Sequence, residues 1–225
     1  MADMLALSRS LHVSASSACA ALFGDVLETE IASWSDEFAA VWGDIIRRDA
    51  GGGAARDIWP KHCDMLREAA LMLYCMARSK RPQVVVETGV AMGYSTSVLL
   101  AALSRNGSGD LYSTDVSADV GQVLSEQEQA GWHFWLLDRS NPAASLAGYL
   151  AKLGQIDLFL HDSMHTYEWQ ALECRLALAK MRTGAILASD DVDDSYGYMD
   201  ICNEIGAPPV LLCDGRKVFG ATVLT

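Results

Sequence analysis

The sequence predicts an α/β domain built on a doubly wound, mostly parallel sheet of seven strands ending in an antiparallel strand, with a helical N-terminal extension in front of it. Three observations carry this. From Pro82 onward, short β-rich runs alternate with helical ones, and a parallel neighbour can be reached only by a long return connection, which is right-handed. The last two β-rich runs are separated only by Asp214-Gly215-Arg216-Lys217, which is hairpin spacing. Before Pro82 the apolar positions recur at helical spacing instead.

Residues 1 to about 17 are serine-rich and show no clear period, so they read as a flexible arm or a segment ordered only by a partner. From Ser35 the positions Phe38, Val41, Trp42, Ile45 and Ile46 form an amphipathic stripe, with Asp36 and Glu37 in the first turn and Arg47 and Arg48 in the last. Gly51-Gly52-Gly53 ends that helix and divides an extension, 1–55, from a second unit, 56–225. A helix over about 62–79 carries Leu66, Ala69, Ala70, Leu73, Met76 and Ala77 on one face. Leu71, Met72, Tyr74 and Cys75 make it apolar nearly all round. Such a helix is sandwiched between extension and sheet, or it meets a second subunit, which makes the N-terminal helices a candidate homo-oligomer contact. Strands follow at 84–86, 111–113, 134–137, 156–160, 185–188, 210–212 and 219–224, with helices to about Ser104 and over 119–129 between the first three.

The chain has 225 residues, enough for a core without staples, and a net charge of -12 with no basic run. That excludes a partner held mainly through phosphates, so no nucleic acid is expected. Six cysteines without a C-x-x-C pair lie mostly in apolar stretches, the pattern of reduced, buried thiols. Asp3, Arg9 and His12 interrupt the first thirty residues, and no segment is long and apolar enough for a membrane. A soluble, unexported, cytoplasmic protein without a membrane partner is the expectation.

The first strand runs into Glu87-Thr88-Gly89-Val90-Ala91-Met92-Gly93-Tyr94-Ser95 and then a helix. Glycines there let the backbone approach a ligand, and the free N–H groups of the helix start can hold a carboxylate. A plain tight turn explains them equally simply. The spacing is not G-x-G-x-x-G, which weakens a dinucleotide reading. Asp115 closes the second strand 28 positions after Glu87, where a carboxylate can accept both hydrogen bonds of a ribose diol, or cap the next helix as Ser117 could. Asp138 closes the third strand and suits an adenine amino group or a turn. Asp162 follows the fourth strand and Asp190-Asp191 the fifth, so three carboxylates converge in the crevice of a doubly wound sheet. An all-oxygen cluster suits Mg²⁺ or a similar divalent cation, whereas Asp190 and Asp191 could also open a solvated acidic loop through Asp193 and Asp194.

The run V-V-E-T-G-V-A-M-G-Y-S resembles the first motif of class I methyltransferases of the catechol O-methyltransferase kind. D-S-M-H-T-Y-E followed by S-D-D-V resembles the acidic elements of bacterial metal-dependent O-methyltransferases. The likeness covers roughly residues 60–225 and implies a Rossmann-like methyltransferase fold over 56–225 that binds S-adenosylmethionine. By that resemblance Gly89, Gly93 and Ser95 hold the methionine end of the cofactor with Glu87 nearby. Asp115 binds ribose, Asp138 binds adenine, and Asp162, Asp190 and Asp191 ligate the metal. The implied activity is methylation of a small-molecule hydroxyl on a sugar, phenol or polyketide-like acceptor. Met164 stands where these families often place a second acidic residue, so the base falls to His165; alternatively His165 only caps or orients this loop, or His161, Asp193 or Asp194 takes the proton. Two other readings stay open: a nicotinamide-dependent oxidoreductase on the same sheet, and a non-catalytic cofactor-binding or assembly protein.

Overall fold

The computed structural model describes residues 10–24, 28–51 and 55–225. In chain order the elements are β1 (Ser10–His12), α1 (Ala15–Phe23), α2 (Glu28–Asp49), α3 (Ala55–Ile58), α4 (Arg67–Lys80) and β2 (Val84–Thr88). They continue with α5 (Tyr94–Asn106), β3 (Asp110–Asp115), α6 (Glu126–Ala130), β4 (Trp132–Leu136), α7 (Pro142–Leu150) and β5 (Ile156–His161). The last are α8 (Tyr167–Leu178), β6 (Met181–Ser189), α9 (Gly197–Glu204), β7 (Val210–Asp214) and β8 (Lys217–Val223).

The strands make one sheet in the order β1-β7-β8-β6-β5-β2-β3-β4. All pairings are parallel except those of β8, which runs antiparallel between β6 and β7. The chain reverses direction in the sheet between β2 and β5, so the loops after β2, β3, β5 and β6 open toward one crevice. Alternate residues of each strand face opposite helical layers, as the period of two requires. Val85, Leu158, Leu160, Ile186, Ala188 and Leu212 join the core under α1, α2, α4 and α5. Val86, Phe159, Leu187 and Leu211 join the core under α7, α8 and α9.

Four expectations need correction. The sheet has eight strands among the described residues, not seven, because Ser10–His12 pairs with β7 in register Ser10↔Val210. Residues 1–9 lie outside the described residues, but 10–17 are ordered by the chain itself. Ser14 caps α1, whose Ala15, Ala18, Cys19 and Leu22 are buried at the i, i+3, i+4, i+7 spacing of one helix face. The second helix begins at Glu28 rather than Ser35, since nothing between them breaks it and Ile31, Phe38 and Ile45 are buried at seven-residue intervals. Asp36 and Glu37 therefore sit inside the helix, where Glu37 accepts from the Tyr74 hydroxyl (3.0 Å) and pairs with Arg78 (3.2 Å). The helix expected over 119–129 shrinks to 126–130. Gly121 at φ +74 and the Val123 N–H donated to Met92 O (3.0 Å) hold the preceding residues as a loop, and the Ser125–Glu128 capping box starts the helix late. Of the glycine break, Gly51 forms a turn and Gly52 and Gly53 lie outside the described residues.

Every residue of α4 from Ala69 to Ala77 is buried, because α1 and α2 pack on its outer side and α5 and β7 on its inner side. The all-round apolar pattern thus reflects a sandwiched helix. No helix among the described residues is long and apolar enough to cross a membrane.

Candidate active site

At the carboxyl ends of β2, β3, β5 and β6 lies a cavity of about 640 Å³, of a size that takes a cofactor together with part of a small acceptor. Gly89, Val90 and Ala91 form one wall, and Asp115, Val116 and Leu137 continue it along the next two strand ends. The glycine turn is shaped by the chain itself. Gly89 has φ +82, and a Cβ there would lie 2.0 Å from the Asp162 carbonyl oxygen, so only glycine lets the β2 and β5 loops touch. Gly93, at φ +93, starts α5 against Gly121. Gly93 and Ser95 stand one layer behind the cavity wall.

Glu87 is also behind the wall and wholly buried. Its Oε2 accepts from Thr96 and Ser113, each at 2.7 Å. Burial raises its pKa, and these hydroxyls, with Ser95, offset only part of that rise. Asp115 faces the cavity while Val90 N–H donates to its Oδ2 (2.9 Å) and Ser117 N–H to its Oδ1 (2.8 Å). Each oxygen keeps a lone pair for a diol. Asp138 is exposed, accepts from the Ser140 N–H (2.9 Å) and hydroxyl (2.8 Å), and stays outside the wall, with Leu137 lining the cavity instead.

The acidic end of the cavity is not the solvated loop that its sequence allowed. Asp190 is fully buried, Asp162 and Asp191 line the cavity, and between Asp190 and Asp191 stands the ammonium of Lys217. Lys217 Nζ donates to Asp190 Oδ2 (3.2 Å) and Asp191 Oδ2 (2.8 Å). Burial pushes Asp190 up to about 6 and, with the charge of Asp190 beside it, raises Asp162 well above the carboxylate range, while Lys217 opposes both. The two aspartates raise the Lys217 pKa against its own burial. The three carboxylates expected to ligate a divalent cation thus lie together, with an amine between two of them. No group of three His, Cys, Asp or Glu side chains among the described residues is arranged to hold a cation, and an amine already neutralises the pair.

His165 lies in the loop before α8, not on the helix, and its ring lines the cavity. Nε2 is 3.5 Å from Asp191 Oδ2, and Nδ1 is buried with no partner among the described residues. Burial, then the adjacent His161, lower its pKa, so the neutral, proton-accepting ring is favoured. His161 is held deeper: its Nδ1 is 2.6 Å from Glu173 Oε2, which also accepts from Thr88 (2.5 Å) and Ser163 (2.9 Å).

Residues 86–192 match the family model described as a methyltransferase domain. Over this stretch the chain is similar to that family. No curated protein matched the chain. Among solved structures, cofactor-bound Rv0187 from MTB aligns at a TM-score of 0.59 with 16% identity, covering 91% of this chain and 93% of that one. The O-methyltransferase from Bacillus cereus, in complex with SAH, aligns at 0.55 with 14% identity, covering 82% and 90%. The O-methyltransferase TomG from Streptomyces achromogenes, in complex with SAM, aligns at 0.54 with 16% identity, covering 72% and 82%. These likenesses show that the chain shares its fold with those proteins.

The matched stretch supplies every cavity residue discussed so far except Lys217, which β8 contributes from beyond it. Sequence reasoning missed Lys217, and it missed Glu173. A signal for Glu173 existed: Gln170, Glu173, Cys174 and Ala177 follow the spacing of a buried helix face, so two polar residues there need internal partners. The roof over the domain, Trp59, His62 and Cys63, was missed as well. Trp59 Nε1 donates to Asp119 O (2.5 Å), and Arg56 anchors the segment by pairing with Asp49 and with Asp64 (2.8 Å).

Proposed function

We propose that this chain transfers the methyl group of S-adenosylmethionine to a hydroxyl oxygen of a small acceptor, in the cytoplasm. The observation that carries the reading is the juxtaposition, in one cavity at the carboxyl ends of the strands, of the Gly89 turn, Asp115 and the His165 ring. The cofactor's methionine end lies along the Gly89–Ser95 turn with Glu87 beneath it, its ribose diol on Asp115, and its adenine beside Leu137 with Asp138 at the rim. Solved neighbours that hold SAH or SAM on the same fold support this. Trp59, Trp169 and Met164 give the acceptor end flat apolar walls, which suits a phenol or polyketide-like ring better than a sugar. His165 accepts the hydroxyl proton, the oxygen attacks the methyl carbon in line with sulfur, and most of the acceleration comes from that alignment. The cysteines are free and mostly buried, as a reducing compartment permits.

Calorimetric titration with S-adenosylhomocysteine tests the reading. The wild-type chain is expected to bind it, and Asp115→Ala, checked by its melting curve, to bind at least about tenfold more weakly, since a charged acceptor of two hydrogen bonds is lost, each worth about 1.5–3 kcal/mol. Equal affinity in the two proteins removes Asp115 from the site, and no binding to the wild type sinks the reading.

A further inference from the structure

Resting on the methyl-transfer reading above, we propose that Lys217 is a catalytic residue. Its ammonium replaces a divalent cation between Asp190 and Asp191, and its remaining N–H holds the acceptor oxygen. Lys217 is 8% exposed and lines the cavity. Its backbone is fixed at the foot of β8 by the hairpin pairing Asp214↔Lys217, so the amine is delivered to one place. An ammonium has three donors; Asp190 takes one and Asp191 another, and the third is left for what enters the cavity.

A divalent cation would have to displace this amine. Mg²⁺ needs near-octahedral oxygen at roughly 2.0–2.1 Å and sheds water reluctantly, whereas the two Asp oxygens are already committed to Nζ at 3.2 and 2.8 Å. Displacement would also leave a buried ammonium unpaired, which is costly. Lys217 thus supplies the positive charge next to the reacting oxygen, and His165, within reach of Asp191 at 3.5 Å, stands beside it. In the transfer, the acceptor O–H gives its proton to His165 and an oxygen electron pair forms the new O–C bond. The C–S pair stays with sulfur, leaving a neutral thioether, while the oxygen rests on the Lys217 N–H. No electron source and no metal enters the balance.

Binding of S-adenosylhomocysteine is measured first; its absence counts against the methyl-transfer reading and not against Lys217. With the product bound, Mn²⁺ is titrated into the wild type and Lys217→Met and followed by electron paramagnetic resonance, which needs no acceptor. The wild type is expected to leave Mn²⁺ free up to millimolar concentration. Lys217→Met, with its carboxylates released, is expected to bind it. Transfer of labelled methyl to a panel of phenols should proceed at an unchanged rate in excess chelator. It should fall at least about a hundredfold in Lys217→Met, with product affinity within about threefold of wild type. Should Lys217→Met fail to fold, Lys217→Arg retains the charge but moves the donor, and a loss of tenfold or more at equal product affinity is expected. Sub-millimolar Mn²⁺ binding to the wild type overturns the proposal. So does turnover abolished by chelation and restored by Mg²⁺, or a Lys217 variant that turns over at more than about a third of the wild-type rate. Product binding without transfer to any phenol, sugar or polyketide-like acceptor again counts against the parent reading, and the Mn²⁺ result still decides for or against Lys217.

Discussion

His165 and Asp115 show how a residue's use depends on what is left over after the chain has satisfied itself. Asp115 spends one lone pair of each oxygen on the backbone of Val90 and Ser117, which aims the carboxylate into the cavity without exhausting it. His165 has one ring nitrogen near Asp191 and the other buried without a partner, so the ring can take a proton without first breaking a bond. His165→Gln keeps size and hydrogen bonding but removes basicity. Turnover is expected to fall by about two to four orders of magnitude with S-adenosylhomocysteine affinity nearly unchanged. A variant that keeps more than about a third of the rate, with chemistry limiting, moves the base elsewhere. That both side chains reach the cavity was legible in the sequence, because an acid at a strand end and a histidine after one are local patterns. Lys217 was not, since its partners lie 26 and 27 positions away and only the antiparallel pairing of β8 with β6 brings them together. Asp138 was legible only as a choice between ligand and turn.

At the scale of elements, the turn after β2 and the starts of α1 and α4 rest on contacts distant in sequence. Gly89→Ala would force a side chain onto the Asp162 carbonyl at a φ of +82, so either the β2 turn or the β5 loop must move. The expected cost is about 2–4 kcal/mol, or roughly 5–15 °C in Tm for a chain of this size, read by a thermal melt. An unchanged melting temperature would mean that the two loops do not touch. The first turn of α4 has no cap of its own: Asp214, from β7, accepts from the N–H groups of Glu68 (2.6 Å) and Ala69 (3.2 Å). Glu68 in turn accepts from Ala15 N–H (3.0 Å) at the start of α1. Asp214→Ala is expected to cost about 1 kcal/mol, the usual price of a lost helix cap, read as a small drop in denaturation midpoint. Helix positions could be read from the apolar period. Helix starts could not, because at α4 the capping carboxylate comes from the far end of the chain.

Across the whole molecule, the sheet order explains why extension and cavity belong to one structure. The layer under α1, α2, α4 and α5 is a continuous core that runs from Ala15 to Ala221. Arg48 of α2 donates to Ser97 (2.8 Å) of α5 and pairs with Glu128 (3.1 Å) of α6, tying the extension to the elements that flank the glycine turn. Parallel strands alternating with helices made the sheet legible. The strand at Ser10–His12 was not, because three residues are too few to show a period and its pairing with β7 is a long-range event. The most direct test of the account is a crystal structure of the wild-type protein with S-adenosylhomocysteine. The account predicts the ribose hydroxyls on the Asp115 carboxylate, the sulfur turned toward Lys217 and His165, and the Lys217 amine still between Asp190 and Asp191. A product molecule seated away from the Gly89 turn and Asp115, or a metal ion in place of that amine, would contradict it.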